Sequence, residues 1–293
     1  MTVLDVTDCE LKEYFVIYSV MQKTKNSFVI LILIITLTFF LSPWGYTDEI
    51  SFGVIGDTRI GVHETIYNLF LKRMEKEGIH LIFHTGDVIN KPGDDEEWKK
   101  FLDLSRNRGT IHIAPGNHDI NNYRSLKKYK QYIQKPPYYS FSIRDAQFIL
   151  LCTEMPDAIG KITGTQLEWL KKELQKPFQY RFVFLHKPPF PSPFGNRYGL
   201  DRFPEERDIL HELFVVYHVN LVFAGHEHLY NRKERDGITY VITGGGGAPL
   251  LTFQEEFGGF FHYIIAKRLN GGYVFSVHTM DGIIKDEFKI NMR

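Results

Sequence analysis

Five short apolar runs along this chain end in polar residues: "ISFGVIGD" (50–57), "HLIFHTGD" (80–87), "TIHIAPGNHD" (110–119), "RFVFLHKPP" (181–189) and "NLVFAGHEH" (220–228). Each has the length of a buried strand, and Gly-Asp or Pro-Gly stops the first three. Segments with helical spacing, 63–77, 94–106 and 164–175, lie between the first four runs, and 204–218 separates the last two. "TGTQLEWLKKEL" opens with Thr163 or Thr165 as a cap and carries Leu167, Leu170 and Leu174 on one face. This alternation predicts βαβ units and a largely parallel sheet. The C-terminal stretch reads differently. "GITYVITGG", "FFHYIIAKRL", "GGYVFSVHTM" and "IIKDEFKI" are expected to be consecutive strands, with a hairpin at "LNGG". A further hairpin, 138–154, is expected to turn at Arg144-Asp145. The pattern predicts a layered α/β sandwich with an antiparallel half, and no internal repeat is visible.

One apolar run fits neither strand nor surface helix. "FVILILIITLTFFL" (Phe28–Leu41) is unbroken, follows Lys23 and Lys25, and precedes Asp48 and Glu49. It reads as a signal peptide or transmembrane anchor over 28–46, with 1–27 as a cytoplasmic extension and one folded domain over 47–293. Pro43, Trp44 and Tyr46 offer no small-x-small cleavage site, which favours an uncleaved anchor. Met21 opens a natural n-region, so either Met1 or Met21 can be the start. The domain is thus expected to be membrane-anchored or exported, on the non-cytoplasmic side.

Charge and cysteine content narrow the rest. With 35 basic and 35 acidic side chains, bulk electrostatics gives no reason to expect a nucleic-acid partner. The cysteines, Cys9 and Cys152, are too scattered for a metal cluster and are expected to lie on opposite sides of a membrane.

The chemistry gathers at the ends of the five runs. In open α/β sheets ligands bind beyond the carboxyl ends of the strands. Here those ends carry Asp57, Asp87, Asn117 with His118, His186, and His226 with His228. One Asp after a strand means little, but carboxylate, amide and imidazole at five successive ends make a set. Such ligands without thiolate suit Mn, Zn or Fe. Two ions roughly 3.5–4 Å apart would activate a water and clamp a phosphoryl oxygen. The single residue between His226 and His228 puts both on one side of an extended segment, able to serve neighbouring ions.

"GD" (56–57), "GD" (86–87), "GNHD" (116–119), the strand-ending His186 and "GHEH" (225–228) together resemble the five blocks of the calcineurin-like metallophosphoesterases, in order. The context "HKPPF" and "GHEHLYNRKERDGITYVITGGGGAPL" is most similar to the purple-acid-phosphatase-like branch. The resemblance implies a four-layer α-β-β-α sandwich of two mixed sheets around a dinuclear centre of divalent or trivalent ions. Asp87, Asn117, His186 and His226 would hold one ion, and Asp57, Asp87 and His228 the other, with Asp87 bridging. A metal-bridging hydroxide would attack phosphorus. His118 would protonate the leaving group, oriented by Asp119.

Two positions depart from that family. Most members have His where this chain has Arg59, and purple acid phosphatases have Tyr where it has Asn90. Asn90 or a water fills the gap, or the site is mononuclear or degraded. Arg59 either grips substrate phosphate or pairs with a nearby carboxylate, and repulsion by the ion is expected to turn it away from the metal. His63 is read as a surface histidine. "KPPFPSPFGNRYG" (187–199) is a pocket wall, a lid or a plain rigid loop. "GGGG" (244–247) lacks the Lys-Ser/Thr of a phosphate loop and is expected to let backbone pass beneath the site. Asn231 and Arg232 are candidates for its rim. The expected function is phosphomonoester hydrolysis on a small-molecule or lipid phosphate, ahead of diester or pyrophosphate hydrolysis. A phospho-ligand binding module with impaired catalysis is the reading from another class.

Overall fold

The structure is a computed structural model and describes residues 50–62, 64–195, 199–269 and 271–291. The predicted anchor, Cys9 and His63 lie outside the described residues. Among the described residues no helix is long and apolar enough to cross a membrane.

Two six-stranded sheets form the body. The first has the order β12-β11-β10-β1-β2-β3, where β1 is Ser51–Ile55, β2 Leu81–His84, β3 Thr110–Ile113, β10 His262–Leu269, β11 Gly272–Thr279 and β12 Ile284–Asn291. The second has the order β4-β5-β6-β7-β9-β8, where β4 is Tyr139–Ile143, β5 Ala146–Leu150, β6 Tyr180–Phe184, β7 Leu221–Ala224, β8 Tyr230–Arg235 and β9 Ile238–Thr243. Both are mixed. β1, β2 and β3 run parallel, as do β5, β6, β7 and β9, while β10–β12, β4 and β8 join antiparallel.

Strand alternation explains the layers. Phe52 and Val54 of β1, Phe83 of β2, Phe182 and Phe184 of β6 and Phe223 of β7 meet in one core shared by the two sheets. There the Phe83 and Phe184 rings stack at 4.1 Å. Ile55 and Ile82, on the opposite face, pack with residues of α1 (Thr65–Lys76), α2 (Asp95–Ser105) and α3 (Tyr123–Ile133). Val183 and Val222 pack with residues of α4 (Gly164–Leu174) and α5 (Pro204–Val216). Fully burying such side chains is worth roughly 1.5–3 kcal/mol each, so these three cores dominate the fold.

The five strand-end runs became β1, β2, β3, β6 and β7, and the hairpin turn at Arg144 has φ +56. The C-terminal expectation needs correction. β9 does not continue into β10 but pairs parallel with β7, so the last strands divide between the two sheets. β8 and α3 were not anticipated. The cap at Thr163 makes no side-chain hydrogen bond, whereas α3 begins with a full capping box between Asn122 and Ser125.

Candidate metal centre

The parallel strands of both sheets deliver their carboxyl ends to one place. The loops after β1 and β2 are zipped side by side: the N–H groups of Asp57, Arg59 and Ile60 donate to the carbonyls of Gly86, Asp87 and Val88 at 2.9, 3.0 and 2.8 Å. To make this pairing and aim side chains inward, Asp57, Arg59 and Asp87 take φ values of +58, +49 and +54. Non-glycine residues avoid this region, and such strain collects at functional sites. His226 joins them at +70.

That angle corrects one expectation. Residues 226–228 are not extended. Glu227 N–H donates to Gly225 and Leu229 N–H to Glu227, a tight double turn. Both histidines still face the centre, while the buried Glu227 carboxylate turns away to accept from Ser192 N–H. It thereby pins the loop after His186. Sequence reasoning gave Glu227 no task, although a carboxylate between two candidate ligands was a visible signal.

One group of ligating atoms is nearly complete. His186 Nδ1 lies 2.8 Å from Thr85 O, a carbonyl that can only accept, so Nδ1 carries the proton and Nε2 presents a bare lone pair. That Nε2 is 3.1 Å from Asn117 Oδ1, 3.1 Å from His226 Nδ1 and 3.4 Å from Asp87 Oδ1. Burial holds His186 well below the usual imidazole range and His226 down to about 3, so both rings are neutral. Electron pairs of a carboxylate, an amide and two imidazoles converging in a buried spot fit a divalent or trivalent cation. Asp57, Asp87 and His186 offer ligating atoms within 4.8 Å of one another. Glycines press this set into place. A Cβ on Gly86 would sit 2.7 Å from His186 Nδ1, and one on Gly116 would sit 2.3 Å from Asp87 Oδ1.

The neighbouring group is thinner. His228 Nε2 lies 3.5 Å from Asp57 Oδ1, and its Nδ1 bonds Pro249 O. Burial pushes the Asp57 carboxyl up to about 7 against the pull of His228. Burial opposes charge on His228, but Asp57 outweighs it and raises the imidazole. The "GGGG" backbone passes beneath as expected, with Gly246 N–H on Gly56 O and Ala248 N–H on Asp57 O.

Arg59 does not turn away. Its Nη1 is 3.5 Å from Asp87 Oδ2, and its Nε and Nη2 donate to Asn90 Oδ1 at 3.2 and 3.0 Å. The expectation of repulsion assumed an ion already dominating the field. The Asp87 carboxylate attracts instead, so the pairing with a nearby carboxylate is what the structure shows. Asn90 Oδ1 thus accepts from Arg59 twice.

Asp119 is also corrected. It does not touch His118. Its Oδ1 accepts from the N–H groups of Val88 and Ile89, and Oδ2 from Gly116 N–H. The turn at Gly116 folds it under the loop, fully buried. His118 is held instead by Asn90 O at Nδ1, leaving Nε2 4.0 Å from Asp87 Oδ2. Asn231 and Arg232 lie away from the ligating atoms, in a cavity of about 530 Å³ where Arg232 pairs with Asp286 at 2.7 Å.

A second cavity, of about 280 Å³, opens on the centre and is lined by Asn117, His226, Lys187, Arg202 and Phe203 among others. Lys187 reaches the buried Glu154 at 2.9 Å, and burial raises that carboxyl to about 7. Neither residue was singled out in the sequence, where each looks like an ordinary charge.

The sequence profile of the calcineurin-like phosphoesterases matches residues 50–230. The chain belongs to that family. This phosphoesterase family is one of hydrolases, and among its relatives are purple acid phosphatase 23 of Arabidopsis thaliana and a purple acid phosphatase of Glycine max. The first is 27% identical over 176 residues, 52% of this chain and 37% of that protein. The second is 27% identical over 227 residues, 68% of this chain and 47% of that protein. The chain therefore spans less than half the length of either. Among solved structures, purple acid phosphatase PPD1 from yellow lupin (Lupinus luteus) seeds superposes with a TM-score of 0.68 at 20% identity, over 83% of this chain and 54% of that one. That likeness is one of fold.

Proposed function

We propose that the chain is a metal-dependent phosphomonoesterase. The observation that carries this reading is the convergence of Asp87, Asn117 and His226 on the bare His186 Nε2, at 3.1–3.4 Å. A divalent or trivalent ion held by these residues would supply Lewis acidity and a water of lowered pKa. The chain's own groups do the rest. The Asn90 carbonyl accepts from Nδ1–H of His118 and so turns Nε2 to the centre; in the imidazolium form, Nε2–H would give its proton to the leaving oxygen and return the ring to neutral. The cavity of about 280 Å³ beside Asn117 and His226 suits a compact leaving group, which favours a small phosphomonoester over a lipid. The names of the relatives point the same way.

The test is turnover of an aryl phosphate monoester and diester by the purified full-length chain, metal-stripped and then resupplied with Zn, Mn or Fe. Metal-dependent monoester hydrolysis that disappears in Asp87→Asn supports the proposal; diester preference would replace it with phosphodiesterase activity. The second reading, a phospho-ligand binding module, is favoured by the Arg59 contact with Asp87. Phosphate binding without turnover under every metal would establish it.

We also propose that residues 28–46 place this domain outside the cytoplasm. The support is the apolar run between Lys25 and Asp48. Protease protection of the domain in sealed membranes, with a tag on each end, decides it; cleavage from the cytoplasmic face would refute it.

A further inference from the structure

The two halves of the centre compete for one carboxylate. Asp87 Oδ1 faces His186 Nε2 at 3.4 Å and receives His118 N–H at 2.8 Å. Asp87 Oδ2 faces Arg59 Nη1 at 3.5 Å. An ion bound between Asp57, Asp87 and His228 would find three protein ligands, and it would lie beside a permanent cation. The fourth ligand cannot come from Asn90 while its Oδ1 receives both Nε and Nη2 of Arg59. Nor is Arg59 a loose surface group. Its side chain is only 17% exposed, its backbone is bonded to Asp87 O, and its φ of +49 commits the residue to this geometry. Asp57 and His228 meanwhile satisfy each other at 3.5 Å.

Resting on the metal-dependent reading of this same centre, we propose that the protein holds a single ion, bound by Asp87, Asn117, His186 and His226, and that the Arg59 guanidinium replaces the second ion as the fixed positive charge. The replacement is chemically sensible. Of the five N–H groups of guanidinium, two are spent on Asn90 and one points at Asp87. The remaining N–H groups on Nη1 and Nη2 are a fork that matches two phosphoryl oxygens. Arg59 would therefore neutralise and orient the phosphoryl group, work that a second ion performs in two-metal sites. The residue makes substrate affinity independent of a second equivalent of metal, and it predicts a preference for phosphate dianions over singly charged diesters.

The decisive measurement is metal stoichiometry, independent of turnover. The full-length chain is dialysed against excess Zn, freed of loose metal, and its bound Zn is counted by mass spectrometry. The inference expects one equivalent in the wild type, none in His226→Ala, one in His228→Ala, and a second equivalent gained in Arg59→His. Circular dichroism confirms that each variant is folded. Should Arg59→His fail to fold, the wild-type and His228→Ala counts decide alone. Two tight equivalents in the wild type, falling to one in His228→Ala, overturn the inference and leave the phosphoesterase reading standing. No tight metal in a folded wild type overturns both. Loading with Mn gives a second readout: uncoupled Mn resonances support a single ion, and a spin-coupled pair refutes it.

Discussion

The two halves of the centre are built from similar side chains and end in opposite states. On the side of His186 and His226, burial keeps the imidazoles neutral, and the bare Nε2 of His186 faces its neighbours. On the side of Asp57 and His228, the carboxylate and imidazole lie 3.5 Å apart and face each other as a pair. The difference comes from the neighbours. Thr85 O fixes the His186 tautomer from behind, while Arg59 already supplies positive charge beside the second half. A set of metal-ligating residue types is therefore not yet a metal site; what decides is whether the set has been neutralised from within.

The sharpest way to break that comparison is to remove one ligand from each half. His186→Ala should lower metal affinity and monoester turnover by more than about 100-fold, the upper range for losing a mere supporting residue. His228→Ala should cost no more than about 10-fold by the same scale. Equal losses, read from kcat/KM and from metal titration, would show the halves to be equivalent.

Next in size is His118. Its replacement by Ala should reduce kcat by about 10²–10⁴-fold, the range for a lost general acid. Metal content should stay unchanged, and the defect should shrink with leaving groups that need no proton. A defect independent of leaving group would remove the acid role.

Asp119 sharpens the boundary between chemistry and scaffold. Asp119→Ala strands three buried N–H groups, at about 1–3 kcal/mol for each unsatisfied group. The melting temperature should fall well below that of the wild type. The pH–rate profile of the surviving enzyme should keep its shape, and a displaced acid limb would return Asp119 to the orienting role expected from the sequence.

The smallest effect is a pH dependence outside the centre. Burial lowers His262 to about 4 and His112 to about 3. Both lie below the unfolded value of about 6.5, so the unfolded chain takes up protons first as pH falls. Their penalty is absent above about pH 6.5 and grows on acidification towards the folded values, by up to about 1.4 kcal/mol per pH unit for each. Urea melts of metal-free protein at pH 7, 6 and 5 should show the decline, with a shallower slope in His262→Gln. A flat profile would mean that these rings are protonated in the fold.

Much of this was readable from sequence because it obeys short-range rules. Short apolar runs that stop at polar residues locate strand ends, and strand ends in a parallel sheet share an edge, so Asp57, Asp87, Asn117, His186 and His226 could be gathered from the sequence. What escaped depends on side-chain direction after a turn. Asp119 follows His118 in the chain, yet the turn at Gly116 aims it at backbone N–H groups. Arg59 was judged by one charge when two compete for it. α3 was missed because its buried face is carried by Leu126 and Tyr129 amid lysines, although Asn122 and Ser125 spelled its cap. β8, "YNRKER", is an edge strand with no buried residue and hence no alternation to read.

The glycines at 86 and 116 carry one more consequence. With no side chain there, backbone stands directly against His186 and Asp87 and gives them no room to retreat. Main chain thus forms the wall behind these two ligands, and a single methyl group at either position would have to push one of them into the space where an ion would sit.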